Sequence, residues 1–152
     1  MKKSVIFTIA VIYIIGIVIV GFLGQKLTVY DPKIDVENIT CISDDYKAYN
    51  PKISKDKAWI DKGYVGYIEH TEYEEGMKIL LKCRITPANA TEQRLEYISN
   101  DTQCGTITYQ EDGTAILNIL KSGIFSVTIR STDNKGTSIK IRIIVTNISD
   151  II

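Results

Sequence analysis

Two hydrophobic patterns divide this chain. From Ser4 to Gly24 no residue carries a charge, and Ile, Val, Phe, Leu and Ala dominate in one unbroken run. At about 1.5 Å per residue a helix over this run extends about 31 Å, which matches the hydrocarbon core of a bilayer. From Lys26 onward charged and apolar residues are mixed, and from Met77 they alternate with a period of two, the signature of half-buried strands. The pattern predicts one membrane-crossing helix followed by a β domain.

Lys2, Lys3 and the free amino terminus flank the apolar run, as they would in a secretory signal. The run is longer than a signal's apolar region of about 7–15 residues. Its end, Val20-Gly21-Phe22-Leu23-Gly24-Gln25, also lacks the alternating small residues of a cleavage site. An uncleaved anchor is therefore expected. Lys26 and Lys33 follow the span, but Lys2 and Lys3 abut it more closely, so the N-terminus is expected inside and the C-terminal domain outside. Tyr30 falls where an interfacial aromatic sits.

Beyond the span, Gln25 to Lys33 read as a linker with Pro32 barring a helix. Ile34, Val36, Ile39 and Cys41 suggest a first, irregular strand. Residues 43–57 are mostly polar and carry the turn Asn50-Pro51. Trp59 to Ile68, with Gly63 and Gly66 inside, fits a bent or bulged edge strand. Met77, Ile79, Leu81, Cys83 and Ile85 then share one face of a single strand, with Lys78, Leu80, Lys82 and Arg84 on the other. Short strands follow around Leu95 and Tyr97, around Ile107 and Tyr109, over Ala115, Leu117 and Ile119, over Phe125, Val127 and Ile129, and over Ile139 to Val145. Asp112-Gly113 marks a hairpin between two of them. About seven short strands with no convincing helix predict an all-β antiparallel sandwich of immunoglobulin-like type. Ile85, Val127 and Ile141 are expected in its core.

Charge and cysteine usage narrow the picture. The chain has 18 basic and 18 acidic residues, and the region beyond the span keeps 15 of the basic ones once Lys2, Lys3 and Lys26 are removed. A slightly acidic domain has no nucleic-acid footprint. Cys41, Cys83 and Cys104 allow one disulfide in three possible pairings, or none, if all three serve as small buried apolar residues. The latter is expected, since Cys83 takes an apolar place in an alternating strand. His70 is the only histidine and no Cys-x-x-Cys occurs, so zinc is not expected. His70 beside Glu69 and Glu72 has no nucleophile motif such as Gly-x-Ser-x-Gly with it. Glu72, Glu74, Glu75, Asp44 and Asp45 lack the spacing of a calcium loop and read as solvated charge. No cofactor, metal or small-molecule substrate is expected, and no catalysis.

Ile85-Thr86-Pro87-Ala88-Asn89-Ala90-Thr91, preceded by Glu75-Gly76-Met77-Lys78-Ile79, resembles the bacterial immunoglobulin-like domain of the group 2 type. Leu95-Glu96-Tyr97-Ile98-Ser99 stands where that family has Val-x-Trp-x-Ser, with Tyr97 replacing Trp. Gly123-Ile124-Phe125-Ser126-Val127-Thr128-Ile129 is similar to its Gly-Thr-Ala-x-Ile-Thr segment. The resemblance covers residues 73–147 and implies an immunoglobulin-like domain of the kind that adhesins usually string together. The stretch from Ile34 to Thr71 exceeds what the family requires. Trp59, Tyr64, Tyr67 and Tyr73 cluster in and just after this addition, either as a partner-contact surface or as a packed extra layer. The packed layer is expected.

The organisation expected is a tail over 1–3, an anchor over 4–24, a linker over 25–33 and the domain over 34–152. The function expected is a cell-envelope interaction module anchored in the membrane by one span, whose partner is an envelope protein or a cell-wall glycan. A structural or assembly subunit of a larger envelope complex is the alternative.

Overall fold

The structure, a computed structural model, describes residues 3–26 and 31–147. The chain divides into two compact units between Pro32 and Lys33. The first holds α1 (Lys3–Lys26). From residue 3 to residue 21 its side chains are exposed around the whole circumference. Thr8 returns its hydroxyl to the Ser4 carbonyl at 2.9 Å, so this polar group is satisfied within the helix. Among the described residues α1 alone is long and apolar enough to cross a membrane. Tyr30 and the linker residues 27–30 lie outside the described residues.

The described residues of the second unit form ten strands and one short helix. A five-stranded sheet has the order β2 (Tyr46–Ala48), β3 (Tyr64–His70), β10 (Ser138–Val145), β9 (Gly123–Ser131), β6 (Leu95–Ser99). A three-stranded sheet runs β4 (Lys78–Leu81), β8 (Ala115–Ile119), β7 (Gly105–Tyr109). β1 (Asn38–Cys41) pairs with β5 (Cys83–Thr86) alone. Alternation decides what goes inside. In β10 Ile139, Ile141, Ile143 and Val145 are buried while the residues between them stay partly exposed. Val127 and Ile129 of β9, Leu117 of β8, Leu81 of β4 and Ile68 of β3 meet them in one core. Tyr97 is also buried there. The all-β class predicted by the alternation is the one observed.

Several expectations are corrected. The described residues form ten strands, not about seven, and β3 runs parallel to β10, so the sandwich is not wholly antiparallel. The supposed single strand from Met77 to Ile85 breaks at Lys82. The Lys82 N–H turns aside to donate to Ser43 Oγ at 2.9 Å, and the chain passes from pairing with β8 to pairing with β1. Cys83 and Ile85 are consequently half-buried at the margin of the core rather than sealed inside it, unlike Val127 and Ile141.

Residues 34 and 36 precede the first strand instead of beginning it. Val36 is nonetheless fully buried. Its N–H donates to Asp133 Oδ2 at 2.6 Å, and its carbonyl accepts from Thr137 Oγ1 at 2.7 Å. Thr91, in the segment between β5 and β6, exchanges two bonds of 2.9 Å with Ile34. The segment leading into the domain is therefore stitched to two separate turns.

The segment without an expected helix contains α2 (Ser54–Ile60), and Trp59 belongs to it, not to a strand. Asp56 reaches back to accept from the Asn50 N–H at 2.9 Å, and Gly63, at φ 85°, closes the helix by donating to the Ile60 carbonyl at 2.8 Å. A left-handed residue after a helix is the usual place for glycine. β3 is also not an edge strand, because β2 covers its far side. The expected bulge is present: Lys140 pairs with Tyr64 and Ile141 with Gly66, so Val65 is the extra residue.

Candidate interaction surface

The outward face of the five-stranded sheet is where three of the four singled-out aromatics meet. Period two sends Tyr67 of β3 and Lys140, Arg142 and Ile144 of β10 away from the core, just as it sends Ile68 and Ile143 into it. α2 brings Trp59 over this face. The Arg142 guanidinium lies 3.7 Å from the centre of the Trp59 ring, and the Lys62 ammonium 4.5 Å from it. Tyr64 meets Trp59 edge-on with centroids 5.8 Å apart, and Lys140 lies 4.6 Å over the Tyr64 ring. Further along, Tyr49 and Tyr67 stack at 5.2 Å, with Lys47 5.8 Å over the Tyr67 ring. The result is a layer of alternating rings and cations. Each such pair contributes about 0.5–1 kcal/mol where exposed and about 2 kcal/mol where water is excluded.

Trp59, Tyr64 and Tyr67 are half-buried and none joins the sandwich core. These side chains form an added layer on the outside of the sheet, in contact with one another or with Tyr49, and leave their rims in water. Only Tyr49 is buried. Burial raises its hydroxyl above the ordinary tyrosine range, with the Arg142 guanidinium opposing the shift. Between this layer and the loop after β6 lies a shallow cleft of about 230 Å³, lined by Trp59, Tyr64, Arg142, Ile124, Ser126 and Asn100 among others. Ile124 is 58% exposed at its edge. Asn100 donates to Ser126 Oγ at 2.7 Å and fixes the far wall.

Tyr73 is elsewhere. It packs against the core and donates to the Leu120 carbonyl, just past β8, at 2.8 Å. Nothing in its chain position distinguished it from the other three. Arg142, Lys62, Lys140 and Tyr49 were missed by the sequence reading. The spacing of Lys140 and Arg142 marks them as outward-facing on β10, but their meeting with Trp59 requires the parallel β3–β10 pairing, which no local pattern announces.

The other candidate groups remain dispersed. His70 Nε2 lies 3.5 Å from the Asp45 carboxylate on the neighbouring turn. Among the described residues no three His, Cys, Asp or Glu side chains gather as a metal ion would need.

No family model matches the chain, and no curated protein does. The group 2 resemblance therefore rests on the motifs themselves. Solved structures similar to the chain include two of an S-layer protein. Domains 4 and 5 of the S-layer protein SbsC share 13% identity at a TM-score of 0.40, over 70% of this chain and 54% of that one. A structure of SbsC domains 1–6 shares 14% identity at a TM-score of 0.39, over 74% of this chain and 13% of that one. The chain thus spans about half the length of the first. Likeness at this distance carries no assignment.

Proposed function

We propose that the chain is a non-catalytic interaction module of the cell envelope, held by α1 as an uncleaved single-span anchor, with one immunoglobulin-like domain of the group 2 type presented outside the membrane. The observation that carries this reading is α1 itself. A helix exposed and apolar on every side has no aqueous face to turn outward, and lipid satisfies it where water does not. The domain's contact surface is the ring-and-cation layer, with Trp59, Tyr64 and Tyr67 as its anchors and Arg142 among them. Trp, Tyr and Arg are the residues on which interface energy concentrates. The partner is an envelope protein rather than a glycan, because stacking a sugar needs an open aromatic face and Arg142 and Lys62 already lie over Trp59.

Two measurements on intact or wall-stripped cells test this. Added protease should remove the domain and leave the anchor. Protection of the domain until lysis would reverse the orientation. A photo-crosslinking residue at position 124 should give a discrete heavier adduct that the same residue at position 80, exposed on the three-stranded sheet, does not give. Equal labelling at both positions would remove the outer layer as the contact surface. A large, fixed-stoichiometry complex seen from both positions would favour an assembly subunit instead.

A further inference from the structure

The register of the smallest sheet brings two thiols face to face. Cys41 of β1 stands directly opposite Cys83 of β5. One step further on, the Ile42 N–H donates to the Lys82 carbonyl at 2.8 Å, which makes 42/82 the hydrogen-bonded position and 41/83 the non-hydrogen-bonded one. At such positions opposing Cα atoms come within about 4.5 Å and side chains are at their nearest. Disulfides span Cα separations of about 4.4–6.8 Å. Cys104 takes no part: it is buried at the start of β7, where its sulfur would lie 3.2 Å from a Cβ at Gly123. Of the three possible pairings, the fold selects one.

We propose that Cys41 and Cys83 form a disulfide site that closes in an oxidising compartment and locks β1, the strand by which the N-terminal segment enters the domain, to β5. The site follows from the register alone. Its closure in cells rests on the outward placement of the domain. The pair is open to a reagent from one side, since Cys41 is 4% exposed while Cys83 is half-buried and lines a cleft of about 260 Å³ with Arg84, Gln93 and Asp112. Hydrogen bonding from Cys83 pulls the Cys41 thiol down to about 6, against its burial and with help from Ser43, whose Oγ lies 3.4 Å from the sulfur. The pair therefore gives up its first proton readily.

The oxidant is a small or protein disulfide. The Cys41 thiolate takes the proton from Cys83 as the Cys83 sulfur, the one open to the cleft, attacks one of the oxidant's sulfur atoms and expels a thiolate. Cys41 then loses that proton and attacks Cys83 sulfur, expelling the second thiolate. Two protein thiols and one disulfide become one protein disulfide and two thiols, and both protons end on the leaving groups.

The test uses the full chain in detergent micelles with glutathione disulfide as oxidant, followed by alkylation in denaturant and peptide mass analysis without reduction. The expected product is a peptide joining Cys41 to Cys83, lighter by two hydrogen atoms, with Cys104 alkylated. Cys104→Ser should give the same link, and Cys41→Ser should give only a glutathione adduct at Cys83. Three alkylated thiols, or links scattered over Cys104 as in the unfolded chain, would overturn the proposal. Neither outcome touches the orientation of the domain, which the protease experiment reads separately.

Discussion

The five-stranded sheet carries two faces built from the same strands and by different rules. Its inner face is apolar and closed: Ile68, Val127, Ile129, Ile141 and Ile143 are all fully buried, with Tyr97 and Phe125 beside them. Its outer face is aromatic and cationic, with Trp59, Tyr64, Tyr67, Lys140 and Arg142 all left half-exposed. The inner face draws its stability from removing apolar area from water, about 25 cal/mol for each Å². The outer face relies on ring–cation pairs that keep one rim hydrated. The first holds the domain together, and the second is the surface proposed above for a partner.

Adjacent residues of β9 give the sharpest contrast. Val127 is fully buried, while Thr128 is turned outward opposite Lys140. Val127→Asp buries an unpaired carboxylate and should cost more than about 4 kcal/mol, leaving no cooperative melting transition in the full chain. Thr128→Asp should cost less than about 1 kcal/mol. Equal losses at the two positions would show that the sheet's faces are wrongly assigned.

Gly66 sits where β2 crosses closest to β3. A Cβ there would lie 2.5 Å from the Lys47 carbonyl and from the Tyr46 ring. The backbone atom cannot rotate away, so Gly66→Ala should cost about 1–3 kcal/mol through overpacking. Hydrogen exchange should locate the damage, with protection lost at residues 46–48 first and retained in β10. Uniform loss across the domain would mean that β2 belongs to the cooperative core.

The smallest effect concerns acid. The Ser131 hydroxyl, followed by the Val36 and Gly136 N–H groups, holds the Asp133 carboxyl below its ordinary value of 3.8. A carboxyl with a depressed folded pKa stabilises the fold above its unfolded pKa, and this contribution is lost as pH falls through the folded value. Urea midpoints of the full chain at pH 6 and pH 3 should therefore differ more in the parent chain than in Asp133→Asn. Identical pH dependence in the two would remove Asp133 as the clasp on Val36.

How much could be read in advance follows the same division. Inner-face residues repeat every second position, so Val127, Ile141 and their neighbours were legible from β9 and β10 alone. Ile85 misled because it continues that repeat after Lys82 has already redirected the chain to another sheet. The outer layer was legible only as a concentration of aromatics. α2 has seven residues, too few to display a helical period, and Trp59 reads as easily in a strand. Tyr73 belonged to the same stretch of sequence but folded to a different face. The opposition of Cys41 and Cys83, like that of Trp59 and Arg142, is a matter of register between distant strands, and alternation within a strand says nothing of it.

The most direct test of the two-face account is the double variant Trp59→Ala with Tyr67→Ala in the full chain. Its melting should be read by circular dichroism, because Trp59 is the chain's only tryptophan, and crosslinking from position 124 should be measured on the same variant. Full core truncation costs about 3–5 kcal/mol per large aromatic. Half-buried rings on an outer layer should cost about 2 kcal/mol each. The account predicts a lowered but still cooperative transition, with the heavier adduct gone. A chain that fails to fold would place these aromatics in the core, and one that melts and crosslinks like the parent would leave the outer layer without a role.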